Sequence, residues 1–465
     1  MSIIGTLNTT KLALSSFQAA IDITGSNISN VNTAGYSLQR PVFSSVGTID
    51  VRSATVQVGV EVSDVERVYN NFLRDQINER TSITGYYEAL STSLESVEII
   101  FDETSSSGLN DLLNQFWNSW SDVSNNPEGQ VERDALISAA ESLCTSINDY
   151  GNALDAVRED AENNIQDTIT EINSLTSSIA DINGKIRETG SEQGNSNILQ
   201  DKRDEYLKQL CSTMNVSYFT DSDGALNIFL PNGEPLVEKD FSWELQLFSV
   251  TSATSPPYHN IVKVGANDSL DEVITGGKIG ALLDVRDTIV KGYQDKLNSF
   301  ASELATEVNE KHESGYDQYH NVGTSFFGPE GTDPESIDAK SISVNSDLIN
   351  DIKKIAASST ILGDGSNANL ISAIKDKTSI EGFTFNNYSA SIIGKIGQDV
   401  AGAKTSMKHQ DIVMSQLVNQ REIVSGVSID EEMMKLIQYQ MGYNAAGRLC
   451  TIINEMLDTL INLGK

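Results

Sequence analysis

The sequence predicts a mainly α protein with inserted β: a long antiparallel coiled coil or helical bundle formed by both chain ends, plus a small β-rich inserted domain. Three observations carry this. Apolar residues recur in alternating steps of four and three along much of the 465 residues, which is the stepping of an amphipathic helix. Two of the clearest seams lie at the chain ends, where polypeptides ordinarily fray. Proline, which interrupts helices, occurs only 8 times.

The first helix carries Ile3, Leu7, Thr10, Leu14, Phe17, Ile21, Thr24, Ile28 and Val31 on one seam, a coiled-coil period held for about four heptads. Within residues 1–35 only Lys11 and Asp22 are charged, although 21% of the whole chain is. The opposite face holds Thr9, Ser15, Ser16, Gln18, Ser26 and Asn27. A helix facing water normally carries charge, so an uncharged polar back implies contact on both sides. One reading has this helix ordering among copies of itself; an ordinary buried helix of a monomeric bundle fits the composition equally well.

Residues 36–65 alternate, with Val56, Val58, Val60 and Val62 spaced by two, and read as extended strand. Helical seams then run through Ile83, Tyr87, Leu90, Leu94, Val97 and Phe101, through Leu136, Ala140, Leu143, Ile147, Tyr150, Leu154 and Val157, and through Ile165, Ile169, Ile172, Leu175, Ile179, Ile182 and Ile186. Residues 215–265 place the turn signals Asp221-Ser222-Asp223-Gly224 and Pro231-Asn232-Gly233 between short β-rich runs. A helix is expected over about 280–313. Residues 321–385 read as irregular, with one short helix near 349–357. The longest seam follows, from Ile396 through Val400, Ala403, Met407, Gln410, Met414, Leu417 and Arg421 to Val424.

The last helix begins at Ser428-Ile429-Asp430-Glu431, where the serine caps the first turn and the acidic residues complement the helix dipole. Its seam is Leu449, Ile453, Met456, Leu460 and Leu463. The expected division is therefore a terminal coiled coil of 1–34 with 428–465, and a helical rod of 35–214 with 280–327 and 386–427. A β-rich insert spans 215–279, and an irregular segment spans 328–385. The self-assembly interface is predicted at Ile3, Leu7, Leu14, Phe17, Ile21, Ile28, Val31, Leu449, Ile453, Met456, Leu460 and Leu463.

A net charge of −33 argues against nucleic acid, whose phosphates require basic patches. No apolar run reaches 18 residues, so no membrane insertion is expected, and the N-terminus lacks the pattern of a cleavable signal. Cys144, Cys211 and Cys450 are widely separated and sit at apolar helical positions, which suits core filling. The four histidines are scattered, and Asp221-x-Asp223-Gly224 lacks the third oxygen ligand and closing glutamate of a calcium loop. With no phosphate loop and no nucleophile elbow either, no enzyme, cofactor or metal site is expected.

Ile28-Ser29-Asn30-Val31-Asn32-Thr33-Ala34-Gly35-Tyr36-Ser37 resembles the N-terminal motif of flagellar rod, hook and hook-associated proteins. The ending Gly35-Tyr36-Ser37-x-Gln39-Arg40 is similar to that of the hook-associated protein 1 (FlgK) family. Further likenesses follow along the chain: Val58-Gly59-Val60 to Tyr69; Asn125-Asn126-Pro127 with Arg133; Asp201-x-Arg203-Asp204; Asn309-x-x-His312 to Phe326-Phe327. Ser425-Gly426-Val427-Ser428-x-Asp430-Glu431-Glu432 resembles the C-terminal motif of the family. The motif residues are thus Asn30, Asn32, Gly35, Tyr36, Ser425, Gly426, Val427, Asp430, Glu431 and Glu432.

The resemblance implies a structural protein of the bacterial flagellum, the first hook–filament junction protein, extracellular and exported by the flagellar type III apparatus without a cleavable signal. It implies a self-assembling ring or helix in which the terminal helices line the channel. The implied partners are the hook protein, the second hook–filament junction protein and the export chaperone FlgN. By the same resemblance, Leu449, Ile453, Met456, Leu457 and Leu460 would bind that chaperone. The alternatives are a flagellar rod or hook subunit and, from another class, a secreted helical pore-former or translocator. The latter needs an apolar hairpin able to enter lipid, and none is visible in the sequence.

Overall fold

A computed structural model describes residues 3–463 apart from 34, 52–53, 102–107, 190–192, 250–257, 330, 332 and 361–363. Helix α1 (Ile3–Ser29) leads into a hairpin of β1 (Gln39–Val51) and β2 (Ala54–Arg67), whose register shifts between Val42 and Phe43. Four helices follow: α2 (Asn71–Ile100), α3 (Leu109–Asn125), α4 (Gln130–Thr189) and α5 (Gln193–Thr213). The two sequence seams between Leu136 and Ile186 prove to be one unbroken helix, α4. Its 60 residues extend about 90 Å at 1.5 Å per residue.

The insert contains an antiparallel sheet of β3 (Ser217–Thr220), β4 (Leu226–Phe229), β5 (Pro235–Glu238) and β6 (Phe241–Ser242). A separate pair, β7 (Leu245–Ser249) and β8 (His259–Lys263), completes it. Asn183 of α4 pins this sheet, donating to Leu226 O at 2.9 Å and Lys239 O at 2.6 Å and accepting from Leu226 N–H at 3.0 Å. The Asp221 carboxylate accepts from Asp223 N–H at 3.0 Å and Ala225 N–H at 2.9 Å, with Gly224 at φ +80°. That is a side-chain-closed turn. Among the described residues, no group of His, Cys, Asp or Glu is arranged to hold a metal ion.

Helix α6 (Gly277–Asp284) continues through a π turn at Val285–Ile289 into α7 (Val290–Glu313). Residues 328–385 differ from expectation. They contain two short helices, α8 (Ser346–Asn350) and α9 (Ser366–Ser372), and bury Ile337, Ile342, Leu348, Ile355, Ile371 and Ile374 in the main core. Their polar composition hid this, because the apolar residues follow no regular period. Helices α10 (Phe385–Ser425) and α11 (Ile429–Leu463) close the chain.

The core centres on aromatic residues from distant segments. Trp120 lies 5.2 Å from Phe326 and Trp117 5.9 Å from Phe385, centroid to centroid, and Phe300 stands edge-on to Phe385. Asn309 holds the Phe326-Phe327 turn, accepting from both N–H groups at 2.8 Å and donating to Phe327 O at 2.9 Å. His312 Nε2 accepts from Ala356 N–H at 2.9 Å, so its Nδ1–H is the donor to Thr324 O. Burial lowers the pKa of this imidazole to about 4. Cys144 and Cys211 are buried and their thiols pushed up to about 12 by desolvation, whereas Cys450 is half-buried. Among the described residues, the main apolar cluster takes no buried residue before Leu90 or after Ala403.

Candidate assembly interface

Helix α1 is covered on two sides by its own chain. Phe17 meets Gly442, and Asn27 meets Glu432, so α1 and α11 run antiparallel. The ring of Phe17 sits 2.7 Å from where a Cβ on Gly442 would stand, which makes the glycine a socket for the ring. The β hairpin covers the other side: Ser16 Oγ lies 2.7 Å from Leu12 O and 2.8 Å from Val60 O. Part of the uncharged back is thus covered within the same chain, as in the alternative of an ordinary buried helix. Strand backbone needs hydrogen-bond donors opposite its carbonyls, and the serine and asparagine of that face supply them. Ser15 and Gln18 remain exposed. The hairpin thus packs on α1, although the sequence division placed 35–67 with the rod.

Asn27 joins the two ends of the chain. Its Nδ2 donates to Gln39 O and to Glu432 Oε2, both at 2.8 Å. Its Oδ1 accepts from Gln39 N–H at 3.1 Å and from Tyr36 OH at 2.8 Å. All four bonds open to a carboxamide are made, inside a site where an unmade one is costly. The second oxygen of Glu432 accepts from Lys435 Nζ at 2.7 Å. Burial raises the Tyr36 pKa. Gly35, at φ +81°, makes the turn that aims Tyr36 back at Asn27 and passes close to the Glu205 side chain.

Other motif residues are less involved. Asn30 is half-buried and donates to Ser26 O at 3.0 Å, while Asn32 is exposed. Ser425 is buried, and its carbonyl accepts from Leu38 N–H at 3.0 Å. Gly426 and Val427 are half-buried, whereas Asp430 and Glu431 face solvent on the first turn of α11. Asn27 was legible only as one of six uncharged polar residues. Its i+9 and i+405 partners depend on tertiary contact.

The predicted apolar seams divide in the structure. Leu7, Leu14, Phe17, Ile21 and Ile28 are half-buried on α1, and so is Val31 in the turn that follows it. On α11, Ile453 is buried with Ala446, and Leu457 is half-buried. Leu449, Met456 and Leu460 instead face outward at 44, 55 and 53% exposure. At about 100° per residue they share a flank with Met434, Met441 and Ile452, which are exposed too. The result is an apolar stripe along α11 that the described residues leave about half exposed. The side chains of Ile3 and Leu463 lie outside the described residues. Among the described residues, no helix is long and apolar enough to cross a membrane.

Residues 94–327, just over half of the chain, match the family model described as the flagellar hook-associated protein FlgK helical domain. The chain belongs to the FlgK family. Its ends match two further models: residues 7–36 that of the flagella basal body rod protein, and 424–463 that of the flagellar basal body rod FlgEFG protein C-terminal region. The flagellar hook-associated protein 1 of Bacillus subtilis is 28% identical, across 98% of this chain and 97% of its own. That of Escherichia coli is 26% identical, across 98 and 99%. The fold is also similar to the flagellar hook junction protein FlgK of Burkholderia pseudomallei, with a TM-score of 0.67 at 17% identity, covering 76% of this chain and all of that one. This FlgK-family chain is a structural component of the bacterial flagellum, placed at the hook–filament junction.

Proposed function

We propose that the chain polymerises at the junction through α1, the β hairpin and α11, with neighbouring copies covering the outward stripe of α11. The observation that supports this is the stripe itself: Met434, Met441, Leu449, Ile452, Met456 and Leu460 are all exposed along one helix. Burying the exposed half of each such side chain contributes about 1 kcal/mol, so the six together contribute about 6 kcal/mol per subunit contact. On this reading α1, the β hairpin and α11 form the assembling unit, wider than the 1–34 with 428–465 expected from the sequence, and the middle of the chain is its outer body. The subunit acts by shape and adhesion, without catalysis.

The same stripe would adhere to unrelated surfaces in the cytosol. A chaperone of the FlgN type, covering Leu449, Met456 and Leu460 until export through the type III apparatus, fits that need. Hook protein and the second junction protein would then meet opposite ends of the assembled ring. Co-sedimentation with isolated hooks tests the reading. The wild-type chain should pellet with hooks, and the double variant Met456→Asp, Leu460→Asp should stay in the supernatant with its body folded. Equal pelleting of the two would overturn the assignment of the stripe.

A further inference from the structure

The joint between the terminal unit and the body contains a largely buried cluster of charge. The terminal unit contributes no buried residue to the main apolar cluster, which begins at Leu90 and ends at Ala403 among the described residues. At the joint, Arg67, the last residue of β2, reaches α5. Its Nε lies 3.2 Å from Asp201 Oδ1, its Nη2 pairs with Asp204, and its Nη1 donates to Gln200 Oε1 at 3.3 Å. The side chains of Arg67, Asp201 and Asp204 keep only 8, 10 and 17% of their surface exposed, so water screens the pairs poorly. The guanidinium also stacks 4.2 Å above the Tyr69 ring.

Backbone contacts follow the same pattern. Ser37 N–H donates to the other oxygen of Asp201 at 3.3 Å, and Asn197 Nδ2 donates to Val65 O at 2.6 Å. Asp201 thus holds the terminal unit at two points, Ser37 just ahead of β1 and Arg67 at the end of β2. Arg203, between the two aspartates, points the other way and ties α5 to the body, donating to Asn183 Oδ1 at 2.9 Å and Gly224 O at 2.7 Å. One turn of α5 therefore grips the terminal unit with its carboxylates and the body with its guanidinium.

We propose that Asp201 and Asp204 form a latch on Arg67 that sets the angle of the terminal unit on the body, and that opening it frees the angle while both parts stay folded. A packed apolar joint would resist rotation through many shallow contacts. A guanidinium fork that hydrogen-bonds Asp204 and Gln200 and meets Asp201 by charge holds one geometry and can release as a unit. A junction subunit would then meet its neighbours with one preset angle that assembly can change without unfolding either part.

The test is a distance distribution between spin labels on Ser63→Cys of β2 and Glu171→Cys of α4, both exposed positions. The background is the full chain carrying Cys450→Ser; Cys144 and Cys211 are buried and shielded. The latched chain should give one narrow peak, and Asp201→Asn with Asp204→Asn should broaden it at least twofold, with unchanged emission from the buried Trp117 and Trp120. Arg67→Lys, which keeps the charge and loses the fork, should fall between. A peak already broad in the latched chain would overturn the proposal. So would a width unmoved by both variants, or a body that unfolds with the asparagines.

Discussion

Helices α4 and α11 show the same four-and-three stepping of apolar residues, yet they use it differently. Along α4 the stripe from Leu136 to Ile186 is buried within its own chain, against α3, α5 and the β insert. Along α11 the stripe divides between an inner face on α1, with Ala446 and Ile453 buried, and an outer flank left to solvent. A period declares that a helix has an apolar seam. It does not say whether the partner is the same molecule, because burial energy is indifferent to the source of the covering surface.

The sharpest way to break the contrast is to damage each region and read both. Trp120→Ala, at a site with no exposure, should cost the body about 3–5 kcal/mol. Its urea midpoint, followed by Trp117 emission, should fall accordingly. The change should leave hydrogen exchange in α11 unaltered until the body opens; equal acceleration in α11 would show the two regions to be one cooperative unit.

Acid should discriminate next. The buried His312 imidazole stays neutral down to about pH 4, while in the unfolded chain it titrates near 6.5. Between these values the unfolded state binds the extra proton, so stability falls as pH drops through that window, by roughly 3 kcal/mol when complete. The unfolding free energy of the body from pH 7 to 4.5 should slope more steeply in the wild type than in His312→Gln. Parallel slopes would contradict the assignment of this histidine.

Asn27→Leu removes four hydrogen bonds and leaves the buried Glu432 without its amide donor. A loss of roughly 1–3 kcal/mol is expected, confined to the terminal unit. Amides of α1 and the first turns of α11 should exchange faster, with the body transition in place. The smallest effect on folding is expected from Leu449→Asp, since this side chain keeps 44% of its surface exposed in the single chain. Its unfolding midpoint should match wild type within about 0.5 kcal/mol, and a larger drop would mean that the flank is covered in the monomer.

Much of the fold was legible because its signals are local. Seams located α2, α4, α7 and α10, turn residues located the β insert, and Ser428 located the start of α11. The segment 328–385 was less so, since Ile337, Ile342, Leu348 and Ile371 enter the core from loops and short turns that have no period to read. On the proposed assembly surface, sequence stepping placed Leu449, Met456 and Leu460 on one seam with Ile453, and only the fold separated the exposed three from the buried one. Asn27 stood out only among the uncharged polar residues of α1 and Arg67 only within the motif from Val58 to Tyr69, because a single polar residue has no pattern that names its partner.

The sequence by itself determined the positions of the long helices, the scarcity of charge on α1 and the apolar stripe of α11, all of them properties of spacing along one chain. Only the tertiary structure decided that a β hairpin covers the back of α1, that Asn27 links Tyr36 to Glu432, and that Arg67 crosses to Asp201 and Asp204. The reason is physical. Hydrophobic burial is non-directional and repeats with the helix, so it leaves a periodic trace, whereas a hydrogen bond or ion pair between residues hundreds of positions apart is fixed by directions that exist once the chain has folded.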